Sequence, residues 1–439
     1  MLMDTLNNAR AVTVKLLGRT FSKGGYSNIV LDQALKETML SPQDRAFCTA
    51  LYYGVLERKI TLDHIIMEYS KKRLDKINPN VVNILRVGVY QLKYMDGVPD
   101  NAAVNESVEI AKKMKLAKLA GFVNAVMRNF IRDEKKIFYP ENPNMKLSVE
   151  YSVPRLMVEM LLKSYTYEET VSLLKGSVGK PPVTIRLNSL KGSQSELMEK
   201  IRLLNPKRTE IDWCVEISTG DVQYTDEFME GLFHVQDIAS QLCCMAVDPK
   251  PGEVVLDMCA APGGKSFTMA ELAGDKAEIY AFDLHENRVH LIDNGCERLG
   301  LRSIKANMGN AWSFNEEMPA ADKILCDVPC SGLGVIRRKP EIKYKNFEEF
   351  DRLPDVQYKI LENASKYLKV GGELVYSTCT VNVKENGEVV DKFLEAHPDF
   401  QGVSFLENMG EPFGKPCVTL FPQHFNNDGF FIAKIKRIR

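Results

Sequence analysis

The stretch Val254-Val255-Leu256-Asp257-Met258-Cys259-Ala260-Ala261-Pro262-Gly263-Gly264-Lys265 decides how this chain is read. An apolar run ends in an aspartate, small residues and a proline follow, and a glycine pair opens an amphipathic segment over 265–273. That order predicts a buried strand, a tight loop and a helix N-terminus, whose unpaired N–H groups and positive dipole end suit the polar end of a cofactor. The same alternation continues outward. Strand-like runs at 279–282, 323–326 and 373–376 are separated by amphipathic stretches at 286–299, 354–368 and 385–396. From residue 237 to 439 this predicts a doubly wound, Rossmann-like α/β domain with a largely parallel, buried sheet.

Upstream, the apolar spacing is helical to about residue 135. Val81, Leu85, Val89 and Leu92 recur at three or four residues, as do Val104, Val108 and Ala111. Asp100 or Asn101 is the expected N-cap of the second of these helices, and Gly24-Gly25 the break in an earlier one. The prolines and asparagines of Phe138-Tyr139-Pro140-Glu141-Asn142-Pro143-Asn144-Met145 read as a linker. Beyond it, helical patterns at 154–164 and 194–203 mix with an extended one at 183–187. The expected organisation is therefore an all-α bundle over 1–138, a linker and small α+β module over 139–236, and the α/β domain over 237–439.

Composition excludes several classes. With 439 residues, 45% apolar and 26% charged, the chain is sized for two or three globular domains and is neither disordered nor collagenous. No run approaches the ~18 apolar residues of a membrane span, and the N-terminus lacks the apolar core of a signal peptide. A cytoplasmic, membrane-free protein is the expectation. The ten cysteines include no C-x-x-C and no neighbouring histidine pair, so reduced thiols and no metal are expected. The net charge of −1 hides an asymmetry: residues 1–140 carry 22 Lys and Arg against 14 Asp and Glu. Such a surplus attracts polyanions, although a solvated basic face explains it equally well.

Two phosphate-binding readings of the decisive stretch fail. Gly264-Lys265-Ser266 matches the end of a phosphate loop, but Cys259 stands where glycine is needed and Pro262 would stiffen the cradle. The dinucleotide pattern G-x-G-x-x-G is also absent. Asp283, 20 residues beyond Gly263, ends the next strand, where a carboxylate can accept both ribose hydroxyls. The combination points to an adenosine cofactor without a triphosphate.

Two further strands end in Asp327-Val328-Pro329-Cys330-Ser331-Gly332 and Ser377-Thr378-Cys379-Thr380. Ligands of doubly wound sheets bind outside the strands' carboxyl ends, so both cysteines should face the cleft. Two thiols beside an adenosine cofactor suit methylation of a pyrimidine at carbon 5. That carbon is too weak a nucleophile until a thiolate adds to carbon 6 and makes an enamine. An acid must meet ring nitrogen 3 as the thiolate adds, and Asp327 is the candidate. A second thiol could assist the later loss of the carbon-5 proton and release of the enzyme. The attacking thiol needs a lowered pKa, which Lys265 or a helix N-terminus could supply. Spacing alone leaves open which cysteine attacks.

At these residues the sequence resembles the RNA cytosine-C5 methyltransferases, through DMCAAPGGK, DVPCSGLGVIRRKPEIKY and YSTCTVNVKENGE. The resemblance implies S-adenosyl-L-methionine as methyl donor, Cys379 as nucleophile, Cys330 as the assisting thiol and Asp327 as the residue that orients and protonates the cytosine. It further implies that Cys259, Ala260, Ala261, Pro262, Gly263, Gly264 and Lys265 line the methionine side and that Asp283 binds the ribose. Asn310 and Asp327 complete the cofactor set. Asn310 stands where many relatives have an adenine-contacting aspartate. The N-terminal part resembles the NusB-type helical RNA-binding domain, through DRAF at 44–47, YGVL at 53–56, ILRVGVYQL at 84–92, NESV at 105–108 and GFVNAVMR at 121–128.

A NusB-like bundle fused to such a methyltransferase is similar to the bacterial RsmB (Sun/Fmu) family, whose middle segment is an RRM-like RNA-binding module. By that resemblance the substrate is 16S ribosomal RNA at cytosine 967, and the protein a monomer. Arg337-Arg338-Lys339 would clamp RNA phosphates near the cleft, with a solvated basic turn as the plainer account. No role is assigned to Glu385-Asn386. The alternatives are a transfer RNA cytosine-C5 methyltransferase and a non-catalytic RNA-binding or antitermination factor.

Overall fold

The computed structural model describes residues 8–23, 27–218 and 222–439. The Gly24-Gly25 break and the opening residues 1–7 of the N-terminal reading lie outside the described residues. The chain divides into two compact units, one of residues 1–179 with Ile336–Tyr344, the other of Lys180–Val335 with Lys345–Arg439.

The first unit is helical, as its apolar spacing predicts. Its longest helix, Pro42–Ser70, starts on Ser41, whose hydroxyl accepts from the Asp44 N–H at 3.1 Å. Helices Pro79–Tyr94, Asp100–Lys113 and Ala120–Arg132 bury Leu85, Val104, Val123 and Phe130 against it. The N-cap of Asp100–Lys113 is Pro99, which makes no side-chain cap, so the expected Asp100 or Asn101 cap is corrected by one or two residues. The unit does not stop at the 138–145 linker. Helices Pro143–Tyr151, Arg155–Ser164 and Tyr167–Gly176 continue it, and Ser152 Oγ accepts from the Ile60 N–H.

Ile336–Tyr344 belongs to this unit as well. Glu341 accepts from the N–H and hydroxyl of Ser27 at 3.1 and 2.8 Å, and the buried Lys343 Nζ donates to the carbonyls of Glu57 and Ser152 at 2.7 and 2.9 Å. Arg337 Nε donates to the Gly179 carbonyl at 3.4 Å. Arg337-Arg338-Lys339 thus lies in a segment that groups with the helical unit.

The second unit carries two sheets. Strands β1 (Val183–Leu187), β2 (Lys207–Arg208), β3 (Cys214–Ile217) and β4 (Phe233–Val235) form an antiparallel sheet in the order β2-β3-β1-β4. With helix Gln194–Lys200 after β1 and the short Asp226–Met229 before β4, this is a β-α-β-β-α-β arrangement. Ile185, Leu187, Val215 and Phe233 pack on the helix side. The opposite face is buried too. Thr184, Arg186 and His234 are each under 4% exposed. Arg186 Nε meets Glu271 of helix Gly264–Leu272 at 3.0 Å, and His234 Nε2 meets Thr268 of the same helix at 3.2 Å.

The large sheet is built from β5 (Val254–Asp257), β6 (Glu278–Asp283), β7 (Ile304–Met308), β8 (Ala321–Asp327), β9 (Leu368–Thr378), β10 (Phe400–Gly402), β11 (Cys417–Leu420) and β12 (Phe430–Arg437). Its order is β10-β12-β9-β8-β5-β6-β7, with β11 also on β12. Strands β5 to β9 are mutually parallel, and β12 runs antiparallel to β9. The expected parallel core is present. The antiparallel flank of β10, β11 and β12 adds to what the strand pattern predicted. No helix among the described residues is long and apolar enough to cross a membrane, and no group of three or more His, Cys, Asp or Glu among them could hold a metal ion.

Candidate active site

The chain runs outward from β5 through β6 to β7 and returns to β8 on the other side of β5, so the order reverses at the carboxyl ends of β5 and β8. Ligands bind at such a reversal because neighbouring loops splay apart there. The candidate residues of the catalytic unit lie at these strand ends, on the loops that follow them and in the first turn of helix Gly264–Leu272.

One end of the site suits a nucleoside. Gly263 has φ +107°, and a Cβ there would lie 2.3 Å from the Phe267 ring, so this turn requires glycine. Helix Gly264–Leu272 starts from that turn. Ala260 N–H donates to the Phe282 carbonyl at 2.7 Å, which draws the 259–265 loop toward β6. Asp283 is 3% exposed; it accepts from the His285 N–H at 3.2 Å and pairs with Arg288 at 2.9 Å. Arg288 also donates to the Ala261 carbonyl at 2.6 Å and so ties the ribose candidate to the glycine loop. Beyond Asp283 lies a cavity of about 120 Å³ lined by Met258, Phe282, Gly309, Asn310, Phe314 and Met318. Asn310 Oδ1 accepts from the Trp312 N–H at 3.3 Å. An acceptor carboxylate, an apolar slot with an amide and a tight glycine turn fit the ribose, adenine and polar tail of an adenosine cofactor.

Asp257 ends β5 beneath the loop and takes the Ser266 hydroxyl at 2.6 Å. Burial pushes its pKa up to about 7, with the Ser266 bond opposing. Cys259 is not a reactive thiol, because burial and then the Asp257 and Asp327 carboxylates push its pKa far up.

The other end is chemical. Lys265 Nζ sits 2.7 Å from Asp327 Oδ2 and 5.3 Å from the centre of the Phe430 ring. Burial works to lower the lysine pKa, but the Asp327 carboxylate outweighs it and holds the ammonium protonated. Lys265 is thereby paired with Asp327, and its charge also acts to lower the buried Cys243 thiol against burial. Asp327 Oδ1 accepts from Ser377 Oγ at 2.8 Å. Strands β8 and β9 run side by side with Asp327 opposite Ser377, so the loops that follow them meet. The sulfurs of Cys330 and Cys379 are 3.2 Å apart and both residues are partly exposed. The contact with Cys379, then burial, pushes the Cys330 thiol well up, so the two sulfurs share a hydrogen bond that either can donate.

The fold therefore gathers Cys259, Ala260, Ala261, Pro262, Gly263, Gly264, Asp283 and Asn310 at one end, and Lys265, Asp327, Cys330 and Cys379 at the other. Sequence reasoning missed Arg288, Ser377 and Glu385. Ser377 and Glu385 lie inside the quoted motif, where a polar residue next to a chemical one was the available signal.

The sequence profile described as 16S rRNA methyltransferase RsmB/F matches residues 244–436, and that of the NusB family matches 7–132. The chain is 36% identical to a probable ribosomal RNA small subunit methyltransferase B of Bacillus subtilis (strain 168), over 98% of this chain and 99% of that relative. Among solved structures it shares its fold with PH0851, at 24% identity and a TM-score of 0.79 over 97% of each chain. It also shares its fold with NSun6 from Pyrococcus horikoshii, solved with SFG, at 21% identity and a TM-score of 0.59 over 69% of this chain and 99% of that one.

Proposed function

This chain belongs to the 16S rRNA methyltransferase RsmB/F family, whose cofactor is S-adenosyl-L-methionine, and we propose that it methylates carbon 5 of one cytosine of 16S rRNA through a covalent adduct on Cys379. Cytosine 967 is the target by resemblance. The observation that carries the reading is the pair of thiols 3.2 Å apart beside Asp327, at the carboxyl ends of adjacent parallel strands.

Bound S-adenosyl-L-methionine supplies an electrophilic methyl group. The 259–265 loop, Asp283 and Asn310 hold it, with Arg288 fixing Asp283 against the loop. The Cys379 thiolate adds to carbon 6 of the cytosine, forming the S–C6 bond and moving the C5–C6 π electrons toward nitrogen 3. Asp327 bonds the ring edge, and the Lys265 ammonium paired with it is the proton reservoir for nitrogen 3. Carbon 5, now nucleophilic, would take the methyl group as its bond to the cofactor's sulfonium sulfur breaks, leaving the neutral thioether S-adenosyl-L-homocysteine. Loss of the carbon-5 proton to a base then breaks the S–C6 bond and returns Cys379. Cys330, protonated beside Cys379, stabilises the departing thiolate and assists this release.

In this reading residues 1–138 are the NusB-like RNA-binding part and 139–236 contain the RRM-like module. RRM sheets stack bases on one open face. Here that face is buried along β1 and β4, so RNA contact by this module comes from its loops and edges. Transfer RNA is the rival substrate within the same chemistry. A non-catalytic RNA-binding factor is disfavoured because the two thiols and Asp327 are assembled together.

The test incubates the full chain, Cys330→Ala and Cys379→Ala with S-adenosyl-L-methionine and 16S RNA, following methyl incorporation and protein–RNA adducts that survive denaturation. Cys330→Ala should accumulate an adduct that Cys379→Ala cannot form. The reverse pattern exchanges the two roles, and methylation without any adduct in either variant refutes the covalent route.

A further inference from the structure

Glu385 has no part in the bond-making steps above, yet its carboxylate is fully buried and saturated with donors. Its Oε2 accepts from the Ser331 N–H at 2.8 Å and from Gln357 Nε2 at 3.1 Å. Its Oε1 accepts from Ser331 Oγ at 2.6 Å and from Asn382 Nδ2 at 2.9 Å. Ser331 directly follows Cys330, and Gln357 also donates to the carbonyl of Pro329, which directly precedes it, at 3.0 Å. Both flanks of Cys330 are thus referred to one carboxylate.

That carboxylate belongs to the other cysteine's loop. Asn382 lies three residues beyond Cys379, and Tyr376 of β9 donates its hydroxyl to the Glu385 carbonyl at 2.6 Å. Ser331 Oγ additionally meets Thr380 Oγ1, next to Cys379, at 2.8 Å. The bonds converge from the two loops that carry the thiols.

We propose that Glu385 is a positioning residue: it locks the Cys330 loop to the Cys379 loop and so sets the distance between the two sulfurs. The proposal rests on the two-thiol reading above. A buried acceptor with four donors cannot be removed without leaving donors unpaired, so the loops must shift to find other partners. A displacement of about 1 Å in a reacting group costs up to about 100-fold in rate. Glu385→Gln keeps the shape but turns one oxygen into an N–H₂ that faces donors.

The experiment uses the full chain with S-adenosyl-L-methionine and 16S RNA under single-turnover conditions. Wild type, Glu385→Gln and the milder Ser331→Ala are compared by the first-order rate constant and by the amplitude per total enzyme. A residue that only supports folding lowers the amplitude and leaves the rate constant alone. Positioning predicts a rate constant about tenfold lower or more in Glu385→Gln, at unchanged amplitude, with Ser331→Ala between. In parallel, diamide is used to oxidise the RNA-free protein, and the Cys330–Cys379 disulfide is quantified by mass spectrometry. Its formation should slow in Glu385→Gln. Rate constants and cross-linking that both match wild type overturn the proposal. If wild type itself transfers no methyl group, the two-thiol reading fails, and unchanged cross-linking alone then overturns the positioning role.

Discussion

Replacing Arg186 by methionine should unfasten the four-stranded sheet from the helix that opens the cofactor loop. Arg186 and Glu271 form an ion pair at 3.0 Å with side chains 2% and 0% exposed. Without the guanidinium, the Glu271 carboxylate is left facing the His234 imidazole, whose Nδ1 lies 3.5 Å away. Removing one partner of a buried pair costs about 3–5 kcal/mol, because the other charge stays buried and uncompensated. At roughly 2–4 °C per kcal/mol for a unit of this size, the melting temperature should fall by about 10 °C. Trp213 and Trp312 are the only tryptophans and both lie in the catalytic unit, so their emission during unfolding of the full chain follows that unit alone. Glu271 sits on helix Gly264–Leu272, so cofactor affinity should weaken as well. The double variant Arg186→Met/Glu271→Leu removes both charges and should recover most of the stability. A loss below about 1 kcal/mol in the single variant, or no recovery in the double, refutes the idea that this buried pair joins the sheet to the cofactor helix.

At Gly334, a Cβ would lie 1.9 Å from the Gly429 carbonyl oxygen, and the Gly334 N–H donates to the Cys379 carbonyl at 3.1 Å. Gly334→Ala should therefore cost about 1–3 kcal/mol in urea unfolding and slow methyl transfer, and a fully active alanine variant contradicts this. Asp257 holds its proton up to about pH 7 in the fold but gives it up near pH 4 when unfolded. Its contribution to stability is full below about pH 4 and is lost as pH rises through 7, on the order of 4 kcal/mol. The stability of wild type relative to Asp257→Asn should decline over that window; a pH-independent difference removes the argument. Trp312 is 47% exposed, donates its backbone N–H to Asn310 Oδ1 and stands between the cavity-lining Ala311 and Ser313, so in Trp213→Phe its emission should shift saturably with S-adenosyl-L-methionine. An emission spectrum indifferent to the cofactor places the adenine elsewhere.

The sequence by itself determined the parts whose information is local. A buried strand followed by small residues and a glycine pair can fold in few ways, and β5, β6, β8 and β9 lie where the apolar runs put them. The helical spacing of the N-terminal part needs only its own period to be read. Both cysteines could be placed at strand ends for the same reason. Less was legible where a residue's meaning depends on a partner far along the chain. The short β10, β11 and β12 carry weak patterns and gain their place from pairing on β9.

Only the tertiary structure decided that the helical unit runs on to Gly179 and takes in Ile336–Tyr344, because those contacts join residues from 92 to 314 positions apart. It alone buried the second face of the β1–β4 sheet, where an arginine and a histidine in strands gave no apolar signal but find Glu271 and Thr268. It also turned Lys265 toward Asp327 and bonded Glu385 to the loop that follows each thiol. A charged side chain is stable in the interior only opposite its partner, and that pairing is a property of the folded chain, not of any one segment.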